Sequence, residues 1–148
     1  MKLIKQISAL DTFPVRHSVL RDGKPVESCH FDGDNLQSTI HFGLFESDKL
    51  RAVISLFEKK NSRFETDKQF QIRGMAVLQQ HQKKGFGEML ILNAEHYCVQ
   101  EGSNLIWFNA RQTAVGFYQK MGYAVIGMPF QIEDVGEHVV MYKKLTSC

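Results

Sequence analysis

Between Arg73 and Gly87 the chain concentrates residues suited to holding an anion. Arg73-Gly-Met-Ala-Val77 reads as a strand, and Gln82-Lys-Lys-Gly85-Phe-Gly87 opens a long helical pattern. The first backbone N–H groups of a helix have no intrahelical partner, and the helix dipole places about half a positive charge there, which suits a phosphate or diphosphate. Gly85 and Gly87 would let such a ligand reach the backbone, and Lys83 and Lys84 add local positive charge. ATP and dinucleotides are disfavoured: no Gly-Lys-Ser/Thr follows, and the third glycine of a dinucleotide fingerprint is replaced by Leu90. By itself the G-x-G turn is equally compatible with a tight loop packed on a helix, so its surroundings must decide.

Those surroundings read as alternating strands and helices. Lys2 to Ile7 forms a short edge strand, and Asp11 is expected to cap a helix through Val15, Val19 and Leu20 with Pro14 in its first turn. Residues 21 to 37 carry Gly23, Pro25, Asp32, Gly33, Asp34 and Asn35, a run of turn formers long enough to suggest a substrate lid. Ile40, Phe42 and Leu44 share one face of a strand, which turns at Ser47-Asp48 into a hairpin partner spanning Leu50 to Phe57. The polar stretch from Glu58 to Lys68 is an exposed connection. Gln69 to Val77 is a strand whose interior Gly74 marks a bulge or a close approach. The helix opened by Gly85 carries Phe86, Met89, Leu90, Ala94 and Tyr97 at helical spacing and ends at Gly102. A strand from Leu105 to Phe108, a helix from Thr113 to Met121, and strands over Tyr123 to Met128 and His138 to Leu145 complete the pattern. The layer rules for such an order give an α/β domain, filed as α+β in some schemes, with a mixed, mainly antiparallel sheet of six to seven strands flanked by helices.

The whole chain of 148 residues is expected to fold as one domain: 43% of it is apolar and 23% charged, with no shift in composition to mark a linker. A formal charge of +2, with basic residues scattered, argues against a nucleic-acid surface. The N-terminus has no apolar signal core and no 18-residue apolar run occurs, so neither secretion nor membrane insertion is expected. Cys29, Cys98 and Cys148 are odd in number and widely spaced, which fits a reducing cytoplasm better than a disulfide framework or a metal site. Cys98, on an apolar helical stretch, reads as core rather than as a nucleophile.

Gln82-x-x-Gly85-x-Gly87 after Ile72-Arg-Gly-Met-Ala-Val77 resembles the acetyl-CoA signature of the GNAT superfamily of N-acetyltransferases. Asn109 at a strand end, followed by Ala114-Val-Gly-Phe117-Tyr118-Gln-Lys-Met-Gly122-Tyr123, resembles that superfamily's second motif, A-x-x-F-Y-x-x-x-G-F/Y on a helix. The matching segments run from Gln69 to Tyr123, and the N-terminal third is similar only in layout.

The resemblance implies that the strands ending at Val77 and Asn109 splay apart around the pantetheine arm of acetyl-CoA, the acyl donor. The main chain of Met75, Ala76 and Val77 would contact the arm and the thioester, with the Val77 amide as oxyanion donor. Gln82, Lys83, Lys84, Gly85, Phe86 and Gly87 would wrap the diphosphate. Tyr118 would protonate the departing thiolate, Asn109 would contact the cofactor, and Phe117 would be core. Glu88, where relatives more often carry a small or basic residue, departs from the pattern and is expected to point outward.

An ammonium acceptor must lose a proton before it attacks, and Asp32, Asp34, His41, Glu58 and His81 are the candidate bases. The His30 to Asp34 segment and the following strand would line the pocket of a small-molecule or peptide amine. Homodimerisation through the C-terminal strands is a further expectation from the resemblance. The competing readings are an acyl-CoA-binding sensor without turnover and a structural protein whose glycine turn binds no ligand.

Overall fold

A computed structural model describes residues 1–133 and 135–146; Cys148 lies outside them. The elements run β1 (Lys2–Ile7), α1 (Ala9–Leu20), β2 (Ile40–Glu46), β3 (Lys49–Glu58), β4 (Phe70–Val77), α2 (Phe86–Gln100), β5 (Leu105–Arg111), α3 (Val115–Lys120), β6 (Ala124–Ile132) and β7 (Gly136–Lys144). One seven-stranded sheet has the order β1-β2-β3-β4-β5-β7-β6. Every neighbouring pair is antiparallel except β4 and β5, which are parallel.

The pleat sorts apolar residues onto two faces. Leu44, Ile54, Leu56 and Ile72 meet Phe86, Leu90, Ile91 and Ala94 of α2 in the main core. Each leucine, isoleucine and phenylalanine among them contributes about 1.5–3 kcal/mol by leaving water. Val53 and Ala76, one residue out of phase, meet Val15 of α1 on the opposite face. Beyond β5, Leu105, Trp107 and Val140 form a third cluster beneath Phe64. Cys98 is fully buried in the main core, and burial pushes its thiol up, so it is an inert core residue.

Several boundaries differ from the sequence pattern. Ser8, not Asp11, is the N-cap of α1: Ser8 Oγ accepts from the Asp11 amide at 3.1 Å, and Asp11 returns the contact to the Ser8 amide at 3.1 Å. This reciprocal capping box moves the helix start upstream, so Pro14 lies inside the helix rather than in its first turn. Strands β5, β6 and β7 run longer than their apolar stretches, because a ladder from Leu105↔Lys144 to Arg111↔His138 satisfies their backbones regardless of side-chain type. A 3-10 turn at Gln112–Ala114 takes over the first part of the expected third helix.

The β2–β3 hairpin closes through Ser47 and Asp48, both left-handed at φ 51° and 65°, in the primed geometry that suits strand twist. Gly74, in the middle of β4, is also left-handed at φ 65°. A Cβ there would stand 2.8 Å from Phe31 Cε2, so glycine is required by conformation and by space together. The β3–β4 register shifts between Val53 and Ser55, which identifies the expected bulge.

Candidate active site

Strands β4 and β5 pair only at Phe70↔Ile106 and Gln71↔Trp107. From Ile72 onward the side of β4 that faces β5 has no strand partner, although β4 remains paired to β3 as far as Ala52↔Val77. A crevice of about 410 Å³ opens between the two strands, lined by Arg73, Met75, Asn109, Tyr118 and His138 among others. Backbone groups left without a ladder must find other partners, and an extended polar chain is the natural one.

At the end of β4 the chain makes a 3-10 turn over Gln79–His81 and then enters α2 through Lys83 and Gly85, both left-handed at φ 65° and 83°. Gln82 Nε2 donates to the Val77 carbonyl at 3.1 Å, which ties this turn to the strand. No side chain caps α2, so its first amides stay directed out of the helix. They border a cavity of about 470 Å³ lined by Val77, Gln82, Lys83, Gly85 and Gly87. Met75 lines both this cavity and the crevice, so the helix terminus and the split sheet lie on either side of one side chain. The turn is not plugged by the protein's own side chains.

Tyr118 stands at the crevice wall with its ring 4.4 Å from that of Phe108. Burial pushes its phenol up to about 12, so it stays protonated at neutral pH. Asn109 is exposed, lines the crevice, and pairs with Val140 in mid-ladder rather than ending β5. Phe117, expected in the core, is 37% exposed at the mouth of the turn cavity, because α3 is a six-residue helix lying at its edge. Glu88 is exposed at the rim of that cavity.

The base candidates separate. Asp34 is buried, its carboxylate gripped by Arg16 Nη1 at 2.7 Å and Nη2 at 3.1 Å and by the Phe31 amide at 2.9 Å. Burial opposes the ionised form, but these contacts outweigh it and hold the carboxyl below the usual carboxylate range. His41 is equally committed: Nε2 lies 2.9 Å from the Asp34 carbonyl, which can only accept, so Nε2 carries the proton and Nδ1 receives the Ser55 hydroxyl at 2.6 Å. Burial also lowers its pKa and keeps the ring neutral. Both side chains are held within the fold and neither lines the crevice, so they are parts of the frame rather than the bases expected from the sequence. Glu58 sits opposite Phe70, at the end where β4 and β5 are still joined. His81 lines the turn cavity, stacked on Phe86. Asp32 is exposed in the lid segment.

Pattern reading missed Arg16, Ser55, Arg73 and His138. Arg16 could have been noticed as a charge one residue after Val15 on the buried face of α1, where only a paired guanidinium is tolerated. His138 is buried, lines the crevice, and donates from Nδ1 to the Gly136 carbonyl at 2.8 Å, which leaves Nε2 as an acceptor in the neutral ring. The segment expected to be a lid is tied to α1, because Arg16 also donates to the Cys29 carbonyl at 2.8 Å.

The model of the GNAT acetyltransferase family matches residues 6–123, a span that includes the uncapped turn, the split strands and Tyr118. This chain belongs to that family. It is accordingly an acyltransferase. Over 142 residues it is 34% identical to an uncharacterized N-acetyltransferase, YitI, of Bacillus subtilis (strain 168), covering 96% of this chain and 95% of that protein. Among solved structures, an aminoglycoside 6'-N-acetyltransferase complexed with coenzyme A superposes with a TM-score of 0.78 at 13% identity, covering 99% of this chain and 98% of that one. An acyl-CoA N-acyltransferase from Pseudomonas aeruginosa gives 0.75 at 17% identity, covering 97% and 99%. At these identities the structural likenesses establish the GNAT fold and nothing finer. Among the described residues no helix is long and apolar enough to cross a membrane.

Proposed function

We propose that this GNAT protein transfers an acetyl group from acetyl-CoA to a primary amine by direct attack in a ternary complex. The observation that carries the reading is that the uncapped α2 terminus and the crevice between β4 and β5 adjoin at Met75. Main-chain amides from Gln82 to Gly87, with Lys83 and Lys84 beside them, suit a diphosphate. The unpaired side of β4 suits the amide-bearing arm of coenzyme A, which would extend along Met75, Ala76 and Val77 and past Asn109.

The amine nitrogen forms a bond to the thioester carbon, the carbon–sulfur bond breaks, and coenzyme A leaves as its thiolate. Negative charge gathers on the carbonyl oxygen as the amine adds. The Val77 amide is the donor aimed there, and such a contact in a dry site is worth about 3 kcal/mol. Tyr118 then faces the departing sulfur. A phenol pushed up to about 12 is a weaker acid than a thiol of about 8.5, so the proton moves only as charge develops on sulfur, and the hydrogen bond itself supplies much of the benefit. His138, which lines the crevice with Nδ1 held by the Gly136 carbonyl, takes the role of base that Asp34 and His41 do not fill.

Release of the coenzyme A thiol from acetyl-CoA, assayed across a panel of primary amines alongside calorimetric binding of acetyl-CoA, tests the proposal. Turnover with at least one amine is expected, and Tyr118→Phe should lower kcat about 100-fold while leaving acetyl-CoA affinity nearly unchanged. Binding without turnover on any acceptor would replace the transferase by a sensor.

A further inference from the structure

We infer that the acceptor is an amine carrying its own negative charge, such as a carboxylate, and that Arg73 with Arg21 and Arg111 receives it in the crevice. The inference rests on the acyl-transfer reading above and assigns the substrate class of the same site.

Three guanidinium groups line the crevice, and among its described lining residues there is no aspartate or glutamate. Arg73 is the central one. It projects from β4 where the strand lies opposite Ser55, and its guanidinium sits 4.8 Å from the ring centre of Phe31 and 5.4 Å from that of Phe57. The two rings hold the head in place without satisfying its N–H donors. The nearest buried carboxylate, Asp34, is consumed by Arg16. Among the described residues no carboxylate comes within ion-pair distance of Arg73 or Arg111. Burial, and then the charge of Arg16, pull the Arg73 pKa down, and the Asp34 carboxylate offsets this in part without pairing with it. Exposed Asp32 adds a smaller offset, also through space.

Arg21 closes the other side of the same ring, 5.5 Å from the centre of Phe31. Its Nε and Nη1 donate to the Ser28 and Leu20 carbonyls, which fixes the fork and leaves Nη2 for a ligand. A planar carboxylate matches such forks with paired, charge-assisted hydrogen bonds. The same cations disfavour an ammonium nearby, so they also help to present the amine in its neutral, nucleophilic form. A polyamine, which brings several positive charges and no anion, is repelled by this arrangement.

The test uses the full chain and pairs of amines that differ only in charge, amino acids against their amides, with spermidine as the polycation. Thiol release gives kcat/KM, and calorimetry on the coenzyme A-loaded protein gives binding of the same amines. Acids should exceed their amides by about tenfold or more, the size of one lost contact to a charged group. Arg73→Gln should bring that ratio toward unity without changing acetyl-CoA affinity, and Arg73→Lys should restore part of it. If Arg73→Gln does not fold by circular dichroism, Arg21→Gln and Arg111→Gln make the same comparison. Amides or spermidine used as well as acids would overturn the inference. So would a loss of acetyl-CoA affinity in Arg73→Gln equal to the loss for the acceptor, which would assign the guanidinium to the donor's phosphates. Acids that bind through Arg73 but are never acetylated would sink the transfer reading and leave the anion site standing. No binding by any acidic amine sinks the anion site whatever the turnover.

Discussion

Two arginines lie within 5 Å of the Phe31 ring, and the molecule treats them in opposite ways. Arg16, 3.9 Å from the ring centre, is fully buried and closed by Asp34, Ser55 and the Cys29 carbonyl. Arg73, 4.8 Å from the same centre, borders the crevice and has aromatic neighbours but no ion pair among the described residues. A guanidinium that holds a fold together is neutralised within the fold, whereas one that meets a ligand is fixed in position and left with donors to offer. The Phe31 ring thus has an ion-paired guanidinium against it and, beside that, one with no ion pair among the described residues.

The sharpest way to break this contrast is Asp34→Ala. It leaves Arg16 buried and unpaired, and should cost about 3–5 kcal/mol of stability in urea unfolding. A loss below about 1 kcal/mol would mean that the closed pair is not structural. Acid should reach the same network in two steps. His41 has a folded pKa below its unfolded value of about 6.5, so below that pH the unfolded chain takes a proton that the native ring refuses, and stability falls. Asp34 has a folded pKa below its unfolded value of about 3.9; its contribution is complete above that value and is lost as pH falls through the folded one. Melting temperature against pH should therefore decline from about 6.5 downward and steepen below about 4. A flat profile between those values would remove His41 from the account.

Gly74→Ala probes the junction of the two faces, since its methyl would press on Phe31 and approach Arg16 Nε at 3.2 Å from a left-handed backbone. About 2 kcal/mol of stability should be lost, with acceptor KM rising as the ring shifts against Arg73. Unchanged KM in a destabilised protein would uncouple the bulge from the site. Arg73→Gln should have the smallest effect on folding, within about 0.5 kcal/mol, because no ion pair is broken. A loss comparable to that of Asp34→Ala would make Arg73 structural too.

Much of the fold was legible along the chain. Alternation at Ile40, Phe42 and Leu44, helical spacing from Phe86 to Tyr97, and Gly85 and Gly102 at the helix ends are local signals, because backbone geometry imposes them within a few residues. The order of strands and helices and the glycine turn at the start of α2 followed from the same local rules. Gly74 could be recognised as a break in β4, since only a special φ or a close neighbour accounts for glycine there. The partners of Asp34 and His41 could not be read in this way: Arg16 is 18 residues before Asp34, and Ser55 is 14 after His41. Whether a carboxylate is a base or half of a buried ion pair depends on what the fold brings to it, and sequence spacing carries no such information. The split between β4 and β5, the cationic lining of the crevice and the place of His138 in its wall were likewise decided in three dimensions. Desolvation and charge pairing act across space between distant residues, whereas helix, strand and turn propensities act along the chain.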